Sequence, residues 1–192
     1  MEKNHARYFV LKFFNEEETI LFPDEASRLH FIRLAENLIF SKTNVLVWSL
    51  STHHAALLLE KPTELNGIKM LAQRFTKKYS RYLRKKSQNR DIICSTRLTH
   101  LHDYGKTDLR NLVLQIHLNP MHEGLGANFV EYPWTSYLPL LTPKYCKLDH
   151  TEVMDWFGGK HHYRKLHHRE LVKITGKTEA LGGKNVNFKV GK

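Results

Sequence analysis

The residues best equipped for chemistry are histidines, of which the sequence has 13. Two of them open the segment His53-His54-Ala55-Ala56 at the head of an apolar run. An imidazole can ligate a metal or carry a proton near neutral pH. Successive residues of a strand point to opposite faces, so His53 and His54 cannot hold one ion together. Two ligands on one face need the spacing His-x-His, and Ala56 stands where the second imidazole would be. A second group runs Lys160-His161-His162-Tyr163-Arg164-Lys165-Leu166-His167-His168-Arg169. On a helix His161 and His168 lie two turns apart, and the neighbouring cations repel a metal ion. The expectation there is a phosphate-facing or solvated surface rather than a metal site.

A third pattern is charge alone. Between Lys69 and Arg90 there is no acidic residue, while Arg74, Lys77, Lys78, Arg81, Arg84, Lys85 and Lys86 recur on one side of a helical pattern. Like charges at helical spacing repel by a few tenths of a kcal/mol per pair. A polyanion would relieve that cost by exchanging condensed counterions for these side chains. The whole chain leans the same way, with 30 Lys and Arg against 19 Asp and Glu and a formal net charge of +11. Nucleic acid is the commonest partner of such a surface, and charge alone also admits anionic membranes and acidic proteins. The 192 residues, 41% hydrophobic, exclude disorder and leave one domain with an appendage. Cys94 and Cys146 have no metal-like spacing, and nothing argues for a disulfide. No apolar run reaches the roughly 18–20 residues of a bilayer span, and the polar N-terminus reads as no signal peptide. The cytoplasm is therefore the expected location.

These residues must be positioned by regular elements. Arg7 to Asn15 reads as a strand. Asp24 caps a helix that uses Leu29, Ile32, Ala35, Leu38 and Ile39 and ends near Ser41. Val45 to Leu59 is too long for one strand and reads as a hairpin turning at Ser51–His53. Leu65 to Lys86 puts Ile68, Leu71, Ala72, Phe75, Tyr79 and Tyr82 on one helical face. Asp91 to His102 is a further strand, and Thr107 caps a helix through Leu118 that Asn119-Pro120 closes. The order is the α+β, ferredoxin-like β-α-β-β-α-β pattern with an additional helix, a sheet with helices on one face. Residues 1–140 form this domain. Residues 141–173 form a helical C-terminal extension, with short helices over Thr151 to Phe157 and Lys160 to Val172. Residues 174–192 are expected to be a flexible tail.

Asp108-Leu109-Arg110-Asn111-Leu112-Val113-Leu114-Gln115-Ile116-His117-Leu118-Asn119-Pro120 resembles the signature helix of the REP-associated tyrosine transposases, members of the HUH single-tyrosine (IS200-like) transposases. Tyr132-Pro133-Trp134-Thr135-Ser136-Tyr137 is similar to that family's Tyr-x-Trp-Ser-Ser-Tyr. His54 through Glu60 looks like its His-x-His strand, and Phe75 through Tyr82 falls where it places a basic helix. Trp156-Phe157-Gly158-Gly159 resembles a C-terminal element of some members. The match spans about residues 6–170.

The resemblance implies a ferredoxin-like fold and binding of single-stranded or hairpin DNA. It further implies a divalent metal held by two histidines and a polar residue, and a tyrosine nucleophile that forms a phosphotyrosine link. Carried over, the first histidine is His54 and the polar ligand Asn119, whereas the second histidine falls on Ala56 and the tyrosine on Gln115. A carboxamide cannot attack a phosphodiester, and one imidazole with one amide holds Mg²⁺ or Mn²⁺ poorly. The reading is a transposase-derived protein that binds DNA without cleaving it. No intact catalytic or metal site and no cofactor is expected; Mg²⁺ or Mn²⁺ enters only if the chain is active. The rival is an active nuclease with Tyr104, Tyr132 or Tyr137 as displaced nucleophile and His53 or His117 in the metal site. RNA is the alternative ligand, a protein-interaction role the third reading, and a homodimer is left open.

Overall fold

Strand β1 (Tyr8–Phe14) is apolar on both faces, and only Lys12 is exposed. Such a strand belongs in the middle of a sheet covered on both sides. The computed structural model describes residues 7–17, 19–60, 65–87, 92–126, 128–142, 148 and 150–180. In it β1 pairs antiparallel with β3 (His54–Glu60) on one side and with β4 (Ser95–Leu101) on the other. Strand β2 (Val45–Leu50) closes the edge beside β3. The sheet order β2-β3-β1-β4 is that of a ferredoxin-like fold, in which the two β-α-β halves interlock.

Register divides the side chains between two faces. Phe9, Leu11 and Phe13 share theirs with Ala55, Leu57 and Leu59. Helices α1 (Glu25–Ala35) and α2 (Leu65–Ser87) cover it, with Phe13 centred 5.1 Å from Phe31 and 4.6 Å from Phe75. The opposite face bears Tyr8, Val10, Lys12 and Phe14 beside His54, Ala56, Leu58 and Glu60. There α3 (Lys106–His122) lies over β2 and β3, and α5 (His150–Phe157) sets Trp156 edge-on to Tyr8, 5.4 Å between centroids. Helix α6 (Lys160–Ala180) packs on α3 and α5, on that same side of the sheet. A short α4 (Tyr137–Leu141) precedes them. Tyr8 donates its hydroxyl to Glu152 of α5, and Arg7 bridges Glu60 and Glu152, which ties the C-terminal helices to the central strand. Helices on both faces, rather than one, are the main departure from the sequence expectation.

Several boundaries also differ. Helix α1 passes into a wider π-type turn, Glu36–Phe40, before ending at Ser41, and Leu29 faces solvent while Phe31 takes the core position. The strand expected from Asp91 begins at Ser95; residue 91 itself lies outside the described residues, and Ile92 to Cys94 are irregular backbone, with Cys94 N–H donating to Ser80 Oγ at 2.9 Å. Helix α3 is capped by Gly105, whose N–H donates to Asp108 at 3.0 Å, and not by Thr107. It also runs through Pro120 to His122, so Asn119 sits within the last turn instead of ending the helix. Proline's missing N–H would have bonded Ile116 O one turn back; beyond it, Glu123 N–H bonds Asn119 O and Leu125 N–H bonds Pro120 O, which closes the helix end. Helix α6 continues past Val172 to Ala180, into the segment expected as tail; residues 181–192 lie outside the described residues.

Candidate nucleic-acid interface

Helix α2 is amphipathic because its apolar residues recur at helical spacing. Ile68, Ala72, Phe75, Tyr79 and Leu83 are buried, and Tyr79 donates its hydroxyl to the carbonyls of Leu21 and Ser27. The opposite side presents Arg74, Lys77, Lys78, Arg81, Arg84, Lys85 and Lys86, all exposed. The structure separates them by role. Lys86 is committed to Asp24, the cap of α1, at 2.6 Å, and the ammonium holds that carboxyl at about 2. Its ammonium also sits over the ring of Tyr82, 5.7 Å from the centroid, and that ring stacks on His30 at 3.9 Å. Arg84 donates to Ile92 O at 3.1 Å and so fastens the chain entering β4. Arg74, Lys77, Lys78, Arg81 and Lys85 have no carboxylate partner among the described residues. Lys77, Arg81, Arg84 and Lys85 line a shallow groove of about 350 Å³. Cations held on a rigid helix without counter-charges offer a phosphate chain ready-made partners.

The residues that the resemblance would place in a catalytic site lie across the sheet from that groove. His54 heads β3 on the face that α3 covers, and its partner is Glu123, which caps the end of α3, not Asn119 in the last turn. Glu123 Oε1 is 3.1 Å from His54 Nδ1, with the two side chains 24% and 28% exposed. A carboxylate can only accept, so Nδ1 carries a proton toward Glu123, with Ser51 Oγ also 3.1 Å from that nitrogen. Ser51 supports the turn by donating to His54 O at 3.0 Å, and Thr52 N–H donates to Glu123. Burial pushes the Glu123 carboxyl up, but the hydrogen bonds from His54 and Thr52 outweigh it and hold it low. Ala56 is fully buried, flanked by Ser49 of β2 and Lys12 of β1. Gln115 is exposed and Asn119 half-buried. No hydrogen bond joins His54 to Asn119 among the described residues.

These residues do not fit a divalent metal. Ala56 presents a methyl group, and the carboxylate closest to His54 is already taken by its Nδ1 proton and by Thr52. Among the described residues no cluster of three or more His, Cys, Asp or Glu could hold an ion. Nor does the structure assemble the rival site. Tyr132 is buried with its hydroxyl on Leu50 O at 2.8 Å, Tyr137 is buried, and Tyr104 is exposed on the turn before α3. His53 precedes the strand and faces solvent. His117 is fully buried, on the side of α3 turned to α6: its Nδ1 lies 2.9 Å from His167 Nε2 and its Nε2 2.8 Å from Ser136 Oγ.

Sequence reasoning missed two things here. Glu123 follows Gln115 and Asn119 at four-residue steps, so one helical stripe would have found it. The second is the uncovered half of the same sheet face, where Lys12, Arg97 and Thr99 are exposed and the Arg97 guanidinium sits 5.3 Å from the Phe14 ring. Their register on β1 and β4 was visible only once the strands were paired.

No family model and no curated protein matches the chain. Solved structures do. A REP-associated tyrosine transposase bound to a REP hairpin aligns with a TM-score of 0.50 at 11% identity, over 73% of this chain and 82% of that one. A bacterial tRNA(His) guanylyltransferase-like protein in complex with GTP gives 0.43 at 10% identity, over 62% and 65%. The tRNA(His) guanylyltransferase of Saccharomyces cerevisiae gives 0.43 at 12%, over 81% and 80%. Among the described residues no helix is long and apolar enough to cross a membrane. The fold is thus a four-stranded antiparallel α+β sheet like that of the REP-associated transposase.

Proposed function

We propose that this chain binds nucleic acid, with single-stranded or hairpin DNA as the ligand, and does not cut it. The observation that carries the reading is the α2 face. Arg74, Lys77, Lys78, Arg81 and Lys85 stand exposed without carboxylate partners on a helix anchored by Phe75 and Tyr79. The fold likeness to a transposase bound to a hairpin supports DNA over other polyanions. The open sheet half supports unpaired bases as part of the ligand, since Phe14 with Arg97 offers a stacking platform beside Lys12. Inactivity rests on Gln115 and Ala56 at the aligned positions and on His54 being engaged by Glu123.

The test is a salt titration. Wild-type protein should bind hairpin DNA with a steep negative slope of log affinity against log salt. Converting Lys77, Lys78, Arg81 and Lys85 together to Glu should flatten that slope by about 3, since each lost phosphate contact removes roughly 0.7–0.9 of slope. Equal affinity of wild type and quadruple variant at moderate salt would remove α2 as the DNA surface.

A further inference from the structure

Helix α6 carries a second surface of the same sign. From Lys160 to Arg169 it contains no acidic residue. Its inward side is fixed by Tyr163 and His167, both fully buried against α3, α4 and α5. Its start is fixed by Lys160, which donates to Leu141 O at 3.2 Å, and by Gly158 and Gly159, whose positive φ of 72° and 106° turns the chain out of α5. Farther along, Arg169 and Lys173 are both spent on Glu170. What remains on the outward side is His161, Arg164, Lys165 and His168, which line a groove of about 430 Å³. No carboxylate pairs with Arg164 or Lys165 among the described residues. The groove matches that of α2 in character: two guanidinium or ammonium groups one residue apart, flanked by further N–H donors at helical spacing.

The two grooves lie on opposite sides of the sheet. Helix α2 packs on the sheet face of Phe9 and Phe13, while α6 packs on helices that cover the face of Tyr8 and His54. The sheet lies between them. A hairpin stem is a stiff duplex, whose elastic cost rises with the square of the bend angle. One stem therefore cannot reach both grooves by wrapping a domain whose radius of gyration is about 16 Å.

We infer that α6 is a second phosphate-backbone site, and that one molecule of this protein bridges two nucleic-acid segments, one on each side of its sheet. The inference rests on the proposed binding at α2 and adds a separate site with a separate outcome. Arg164 and Lys165 would contact phosphate oxygens of the second segment as point and forked donors, with His161 and His168 donating ring N–H groups at the groove's ends.

The experiment uses full-length protein, a biotinylated hairpin DNA on beads and a second, fluorescent hairpin in solution. Wild-type protein should carry the fluorescent hairpin onto the beads at low salt. An Arg164→Glu/Lys165→Glu variant should bind a single hairpin within about threefold of wild type yet lose most of the co-capture; Arg164→Ala/Lys165→Ala should lose it partly. Co-capture at the wild-type level by the Glu variant would overturn the inference, because bridging would then come from α2 alone through paired molecules. Loss of single-hairpin binding in the α2 quadruple variant reports on the proposed function independently. If that variant keeps weak hairpin binding that the α6 substitutions then abolish, the second site stands without the first.

Discussion

His54 spends Nδ1 on Glu123, and no second imidazole stands at Ala56. The position where the resemblance would put the tyrosine is Gln115, a carboxamide on the surface of α3 that cannot attack a phosphodiester. Incubation with hairpin DNA and Mn²⁺ should therefore leave no covalent protein–DNA adduct on a denaturing gel. An adduct mapped to any tyrosine would end the inactive reading. Added Mn²⁺ should also shift the melting temperature little, because stabilisation follows RT ln(1 + [L]/Kd) and the affinity is weak. Ala56→His with Gln115→Tyr supplies both missing groups, and adduct formation by that double variant would show how close the site stands to chemistry. Ser136 makes the contrasting case of a fully used polar side chain. Its hydroxyl donates to His117 Nε2 and accepts from Trp48 N–H at 2.9 Å. Ser136→Ala strands two buried groups at once and should cost about 2–3 kcal/mol in urea denaturation.

Among the elements, α6 depends on neutral histidines. His167 Nδ1 faces Tyr163 O at 2.8 Å, and a carbonyl only accepts, so that nitrogen is protonated and Nε2 is the acceptor. His117 Nδ1 then donates to it, and His117 Nε2 takes the Ser136 proton. The surrounding groups are Tyr137, Tyr163, Phe129 and Phe157, none of them a counter-charge. Burial drives both imidazoles down, His167 to about 4 and His117, which also feels His167, well below its ordinary value. The unfolded chain binds these protons near pH 6.5 and the folded chain does not. This contribution to stability is complete above about 6.5 and is lost as pH falls from there toward 4, on the order of 3 kcal/mol for His167. The melting temperature should drop between pH 6.5 and 5, above the carboxylate range, and a His117→Leu/His167→Leu variant should show a flatter profile. An equally steep profile in that variant would exclude the pair as the cause. The sequence exposed these elements unevenly. Strands β1 to β3 and helix α2 were legible because alternation and helical spacing are local. The ends of α3 were not: Gly105 caps through Asp108's side chain, and the helix runs past Pro120 to an end closed by the Glu123 and Leu125 N–H groups. His117 and His167 read as surface or signature residues, since only the packing of α6 on α3 brings them together. The basic face was legible as charge, but the pairing of Lys86 with Asp24 spans 62 residues and no local pattern announces it.

For the molecule as a whole, the sheet has one face that its own β-α-β units cover and another that they cannot. Tyr8, Val10, Val47, Ala56 and Leu58 are buried although α1 and α2 lie on the far side. Helices α3 and α5 cover them, with α6 behind. The buried side chains of α5 and α6, Val153, Met154, Trp156, Phe157 and Tyr163, belong to the same hydrophobic core as the strands. The segment after residue 141 is therefore needed by the fold as well as carrying the α6 cations. Truncation after Leu141 would uncover Tyr8 and Val10, leave His117 without His167, and strip Tyr137 of its stack on Tyr163, 5.2 Å away. Residues 1–141 should lose the sharp thermal transition of the full chain, keep much of its far-ultraviolet dichroism, and bind an apolar dye, as expected when specific packing fails but the backbone stays bonded. A cooperative melt within a few degrees of the full chain would show instead that the first 141 residues form a self-sufficient domain. Trp156→Ala gives a finer version of the test. It removes one large side chain from the seam between α5 and β1, and should cost about 3–5 kcal/mol if that seam is core and far less if α5 is a loosely docked appendage.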